Sequence, residues 1–357
     1  QTGISEVVLP EGLTHIGAES FKGMSMLESV NMPSSLLEIG AEAFAQCLIL
    51  QGLNLPEGIT SVRESTVLVQ VSVAAIEGSM TITAPVEVFG LSPDLMATIS
   101  PETVDIIIAG AGLPLDLPSY LKKGSLTKLI PIVSSARATR IICEKWKSNY
   151  DYLPDAVIVE GPKAGGHLGF KEEQINDNNY SLEKLVPEIT SELKNFEDKY
   201  DTKIPLIAAG GIYTGKDIHD IMELGAAGVQ MATRFVTTEE CDASPAFKQT
   251  YIDAEEKDIE IIKSPVGMPG RAILSSFIDK VRLGRKQPKK CPFKCIKTCD
   301  ISKSPYCIIV ALINAFKGNF ENGYAFAGSN AFRATKITSV KEIFQSLKRE
   351  YKESREL

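Results

Sequence analysis

Two patterns of apolar positions divide the chain. Over residues 1–62 they recur with a step of 23, marked by Pro10, Pro33 and Pro56. Ile16, Ile39 and Val62 keep the same step, as do Phe21 and Phe44. A short apolar run precedes each proline: Val7-Val8-Leu9, Val30-Asn31-Met32 and Leu53-Asn54-Leu55. A fixed step of this length with one strand per unit predicts a solenoid, whose units bury their apolar ladders against one another. Residues 63–102 form a junction, in which Thr66 to Ala75 reads as one strand and Thr81 to Phe89 as another that Pro85 interrupts. That length accommodates one strand with its crossover helix, and a single barrel strand is expected over Val67 to Ala75.

From residue 103 to 357 the pattern becomes one of continuous apolar runs alternating with amphipathic stretches. Strands are predicted at Val104–Ala109, Leu129–Val133, Ala156–Val159, Ile204–Ala209 and Gly228–Ala232. Helices are predicted at Ala136–Ser148, Ser181–Tyr200, with Ser181 as N-cap, and Gly215–Leu224. Strands that are apolar throughout are buried on both faces, which means a parallel sheet covered by helices. Five such units in series predict an α/β fold of the (β/α)8 TIM-barrel type, incomplete at its N-terminal side, with the repeat segment in front.

In such a barrel the strands all end on one rim, and ligands bind there. Gly110, Gly112, Gly165, Gly166, Gly210 and Gly211 fall on that rim, as does His167, one of only three histidines. Gly210-Gly211 opens a loop whose amides can hold a phosphate, and Gln230-Met231-Ala232-Thr233 can add a hydroxyl and further amides. The alternative is that these glycines only permit tight turns. His167 is a candidate proton acceptor near neutral pH, or else a turn histidine satisfied by a neighbouring carbonyl. His15 and His219 read as structural.

The net charge of −7 argues against a nucleic-acid partner. No run of eighteen apolar residues suggests a membrane span. No charged-then-apolar leader opens the chain, and seven cysteines make no disulfide framework, so a cytoplasmic setting is expected. Cys291, Cys295, Cys299 and Cys307 could bind zinc or an iron–sulfur cluster, although reduced structural thiols fit better and no metal site is assigned.

Val157 to Gly169, Ala208-Ala209-Gly210-Gly211-Ile212 and Gly225 to Phe235 together resemble the nitronate monooxygenases, FMN-dependent barrels. Ile108 to Pro114 and Ser264 to Arg271 carry the same resemblance, which runs from about residue 103 to 345. The flavin enoyl-carrier-protein reductases share much of it. The resemblance implies His167 as the active-site histidine. It implies FMN contacts from Glu160, Gly165, Gly166, Gly210, Gly211, Gln230, Met231, Ala232 and Thr233. The family usually has glutamine where Glu160 stands and glycine where Ala232 stands. Its Gly-Gly-Met loop and a later asparagine have no counterpart here. The implied reaction oxidises a nitronate with O2 to a carbonyl compound and nitrite.

Gly323 to Asn330 resembles a family loop that folds over the flavin, with Ser329 and Asn330 as candidates, and Met268 could line a substrate cavity. The repeats resemble leucine-rich repeats of the BspA type. They imply a protein partner, or are a remnant beside an inactive barrel.

Overall fold

The structure is a computed structural model. It describes residues 4–17, 20–22, 24, 27, 29–40, 43, 61–62, 72–76, 79–83, 105–110, 112–284, 288 and 301–356. The chain divides into two compact units, Gln1–Val69 and Gln70–Leu357.

In the first unit the strands β1 (Glu6–Val8), β2 (His15–Ile16), β3 (Ser29–Asn31), β4 (Glu38–Ile39) and β5 (Ser61–Val62) form two parallel ladders, β1–β3 and β2–β4–β5. The Gly12 amide donates to Ser35 Oγ, 23 residues on, so the step in the sequence is the stacking step of the fold. Ile16, Leu27, Val30, Leu36 and Ile39 are buried between the units of this stack. His15 lies on its surface beside Thr14 and Glu38.

The second unit opens with β6 (Ser72–Ile76), β7 (Ser79–Thr83), β8 (Ile106–Ala109) and β9 (Lys128–Val133). It continues with α1 (Ala136–Tyr150), β10 (Val157–Glu160), β11 (Gly166–His167), α2 (Leu182–Tyr200), β12 (Leu206–Ala209), α3 (Gly215–Glu223) and β13 (Gly228–Met231). Then come α4 (Thr233–Val236), α5 (Pro245–Asp253), β14 (Ile259–Lys263), β15 (Pro269–Ile273), α6 (Ser276–Arg282), α7 (Ile308–Phe316) and α8 (Val340–Arg355).

The main sheet has the order β7-β6-β13-β12-β10-β9-β8. Its five strands β8, β9, β10, β12 and β13 are parallel, as the unbroken apolar runs require. Among the described residues β7 and β8 end the order, so the parallel strands form a half-barrel. The junction strand expected over Val67 to Ala75 is described from Ser72, and it runs antiparallel to β13. It therefore departs from the parallel barrel pattern. The cause is its pairing with β7 as an antiparallel partner, which needs no crossover helix.

Side chains alternate across the sheet with a period of two, and the two faces build separate cores. Val157, Val159, Leu206, Ala208, Val229 and Met231 pack under the helices, against residues such as Ile142, Trp146, Val186 and Ile189. Ile130, Ile158, Ile207 and Ala209 pack together on the opposite face. Continuing that alternation to the strand ends, Glu160 and Gln230 share the face of Ile158 and Ala209.

Local signals set the helix limits. Ser135 Oγ accepts from the Ala138 amide at the start of α1, and Asp151 ends it in a left-handed conformation at φ 51°. Thr214 and Asp217 form a capping box at α3, and Ser339 and Glu342 form one at α8. His219 on α3 packs edge-on against Tyr351 of α8, a structural setting. Trp146 is fully buried, and its Nε1 donates to the Pro114 carbonyl at 2.8 Å, tying α1 to the loop after β8. No helix among the described residues is long and apolar enough to cross a membrane.

Candidate active site

Parallel pairing brings the ends of β10, β12 and β13 side by side. Glu160 pairs with Ala209, and Ala209 with Gln230. The loops leaving these ends are Gly161–Leu168, Gly210–Thr214 and Ala232–Thr233, so most of the residues singled out from the sequence converge on one rim. Met231 is the exception in one respect: its side chain is buried in the helix-facing core, so only its backbone reaches the rim.

The loop after β12 carries two left-handed glycines, Gly210 at φ 94° and Gly211 at φ 90°. A Cβ on Gly211 would sit 2.7 Å from Lys163 Cβ, so both backbone angle and space require glycine there. Among the described residues, the amides of Gly211 and Ile212 meet no acceptor. Adjacent free amides of this kind form a concave anion site. The Gly211 carbonyl, in turn, accepts from Asn330 Nδ2 at 2.6 Å.

Asn330 belongs to the loop Gly323–Asn330, which folds onto the rim as its sequence suggests. The Ser329 amide donates to the Lys163 carbonyl at 3.1 Å. The Gly328 amide donates to Thr233 Oγ1 at 3.1 Å, leaving the Thr233 hydroxyl proton to donate elsewhere. Gly165 lies against the same loop, where an added Cβ would fall 2.5 Å from the Ala327 carbonyl carbon.

His167 sits in a strand rather than in a bare turn. With Gly166 it forms β11, paired antiparallel to β15, with β14 beyond in a three-stranded sheet. Its Nε2 lies 2.7 Å from Ser264 Oγ, and its ring meets Phe326 edge-on at 5.0 Å. Tyr251 is fully buried, and its hydroxyl donates to the Phe326 carbonyl, fixing the backbone that carries the ring. Burial holds the His167 imidazole below its ordinary value.

Sequence reasoning assigned no role to two residues in and beside this sheet. Arg271 on β15 is 6% exposed, and its Nη1 donates to the carbonyls of Pro162 at 2.5 Å and Ala164 at 2.8 Å. Among the described residues no carboxylate pairs with it, and burial pushes it down to about 10. Ser264 is 3% exposed. The signal was present in the motif Ser264 to Arg271, but its hairpin form was not.

Of the four clustered cysteines, Cys291, Cys295 and Cys299 lie outside the described residues, and Cys307 caps α7. No metal-binding group of side chains occurs among the described residues. Met268 offers its carbonyl to the Ser264 amide at 3.1 Å. A cleft of about 570 Å3 lies elsewhere, on α1 and α2, lined by exposed charges such as Arg140 and Lys199 and by none of the rim residues.

The fold is thus an α/β half-barrel with a glycine-lined loop and a partly buried histidine on its rim. The sequence model of the nitronate monooxygenases matches residues 44–350, and the chain belongs to that family. A probable nitronate monooxygenase of Staphylococcus saprophyticus is 35% identical over 129 residues, which is 36% of this chain and 34% of that protein. One from Staphylococcus aureus strain Newman is 34% identical over 128 residues, with the same coverage. The chain thus spans about a third of the length of these relatives. The structure is similar to that of FabK from Thermotoga maritima, with a TM-score of 0.56, 28% identity, and coverage of 74% of this chain and 75% of that one. It also shares its fold with nitroalkane oxidase from Streptomyces ansochromogenes, with a TM-score of 0.54, 20% identity, and coverage of 73% and 68%.

Two outcomes are expected. Arg271→Met would strand two buried carbonyls and lower stability by about 2–4 kcal/mol. Urea denaturation followed by the single tryptophan measures this, and a loss under about 0.5 kcal/mol would contradict the clamp. The His167 ring, followed by NMR, should titrate below 6.5. A depressed folded pKa means that the unfolded chain binds the proton more readily. The contribution of His167 to stability is therefore present above pH 6.5 and is lost as pH falls through the folded value. A midpoint at or above 6.5 would refute it.

Proposed function

We propose that this chain is an FMN-dependent oxidoreductase that oxidises alkyl nitronates with O2 to a carbonyl compound and nitrite. The observation that carries the reading is the convergence of His167 with the Gly211 and Thr233 loops on one rim. Family membership and the ordered set of rim motifs support it.

The residues present fit the phosphate end of a flavin mononucleotide. The Gly211 and Ile212 amides have no other acceptor among the described residues, and Thr233 has a hydroxyl proton to give. Together they would hold a phosphate by the geometry of the loop rather than by a buried cation. The Gly328–Asn330 loop would cover that end and keep water from it. Glu160 and Gln230 lie on the inner face of the strand ends, where the ring system would rest. When bound, the flavin would supply the electron-transfer chemistry that no side chain here can perform.

His167 would handle the substrate. A partly buried imidazole held below its ordinary value is neutral at pH 7. It can orient a nitronate by a hydrogen bond, or take a proton from a nitroalkane. Gly166 and the pairing with β15 keep the ring beside Phe326, so its orientation is set before substrate arrives.

A second reading is a flavin-dependent enoyl-carrier-protein reductase, favoured by the motifs that the sequence shares with that group. The amino-terminal unit is read as BspA-type leucine-rich repeats, which would engage a protein partner on their stacked surface.

The test is turnover by the full chain supplied with FMN. The expected result is O2 consumption with nitrite release from an alkyl nitronate, and no NAD(P)H oxidation with an enoyl thioester. The reverse pair of results would establish the reductase instead. Neither turnover would refute both.

A further inference from the structure

We propose that Glu350 on α8, acting through Arg234, holds the two halves of the phosphate site at a fixed separation, so that this helix governs phosphate affinity through the loop backbone. This rests on the FMN reading above and deepens it.

The two halves come from different strands. The Gly211 and Ile212 amides follow β12, and the Thr233 hydroxyl follows β13. One phosphate can engage both only if their spacing is set before it arrives. Arg234 follows Thr233 directly, and its Nη1 donates to the carbonyl of Tyr213, the residue after Ile212, at 2.7 Å. One guanidinium therefore ties the two halves together. The Tyr213 ring is seated by the same group, since Arg234 Cζ lies 5.2 Å from its centre and Arg333 Cζ lies 4.6 Å from it.

Glu350 holds this tie from α8. Its Oε1 lies 3.7 Å from Arg234 Nη2, and both side chains are half-buried. Its Oε2 accepts from the Gly215 amide at 2.7 Å. A single carboxylate thus grips the end of the loop directly and its middle through Arg234. Ser346 Oγ donates to Glu350 Oε1 at 2.5 Å and orients it. The helix is pressed close at this point, because a Cβ on Gly215 would fall 2.2 Å from the Leu347 carbonyl oxygen.

The loop amides divide accordingly. Those of Tyr213 and Thr214 donate to Asp217 Oδ2 at 2.9 and 2.8 Å, and that of Gly215 donates to Glu350. Those of Gly211 and Ile212 meet no acceptor among the described residues. Carboxylates of the protein satisfy the later amides and leave the earlier pair for an anion. Arg234 also offsets the negative charge that Glu350 brings to this loop. Glu350 and Arg234 act through backbone and are positioning residues.

The experiment titrates the full chain with FMN and with riboflavin, which lacks the phosphate. The ratio of the two Kd values isolates the phosphate contribution, which a merely structural role would not move. The ratio is expected to fall about tenfold in Glu350→Ala and in Arg234→Met, with riboflavin Kd changed less than about twofold. Glu350→Gln keeps an oxygen for the Gly215 amide but not the charge for Arg234. It should lose about threefold, and it carries the test if Glu350→Ala does not fold. A ratio that holds or rises in Glu350→Gln and Arg234→Met would overturn the inference. In parallel, the chain labelled with 15N-glycine is titrated with inorganic phosphate without flavin, and the Gly211 amide signal is followed. If the native protein leaves FMN free, but phosphate shifts Gly211 and the shift is weakened in Glu350→Gln, the flavin reading fails and the Glu350 assignment stands. If phosphate also leaves Gly211 unmoved in the native protein, the assignment falls as well.

Discussion

A buried guanidinium that bonds two loop carbonyls holds the rim of this half-barrel together. Arg271 reaches from β15 to the carbonyls of Pro162 and Ala164, in the loop between β10 and His167. A buried cation is costly unless its donors are used. Here the cost is offset by two charge-assisted bonds, and they fasten the antiparallel sheet to the parallel one. The rest of the site inherits its geometry from that contact. The carbonyl of Lys163, between the two clamped residues, receives the Ser329 amide, and Gly165 lies against Ala327. The histidine strand follows at once and takes its register from β15.

The site therefore has two supports of different kinds. The end around Gly211 is built mainly from backbone: left-handed glycines, amides that meet no acceptor among the described residues, and a threonine hydroxyl at a strand end. Backbone groups there need no charged side chain, which suits a rim where small residues let loops approach closely. The histidine end is built from side chains, in which Ser264, Phe326 and Tyr251 fix one imidazole through a hydrogen bond, a ring contact and a loop anchor. Backbone geometry would recognise a constant group, the cofactor phosphate.

Much of this was legible in the sequence because it depends on local chemistry. Parallel strands read as unbroken apolar runs, and the 23-residue step of the first unit became its ladder register. Glycines that must be glycines, such as Gly211, announced the rim. What escaped detection depends on distant pairing. The hairpin β14–β15 was visible only as a motif, because its apolar positions are few and its partner strand is the two residues Gly166 and His167. An arginine is by default exposed, so nothing local marked Arg271 as buried. Ser264 matters only because its turn carries it to a histidine 97 residues earlier. The junction strand failed for a related reason, since its orientation follows from pairing with β7 and not from its own composition.

The claim beneath all of this is that the rim amides are arranged around a phosphorylated flavin. Titration of the full chain with FMN, followed by flavin absorbance and fluorescence, addresses it most directly. Saturable one-to-one binding is expected, weakened about tenfold in Thr233→Val, where one donor to the phosphate is lost. A native protein that leaves FMN free in solution, or a Thr233→Val variant that binds it as tightly as the native protein, would contradict the account.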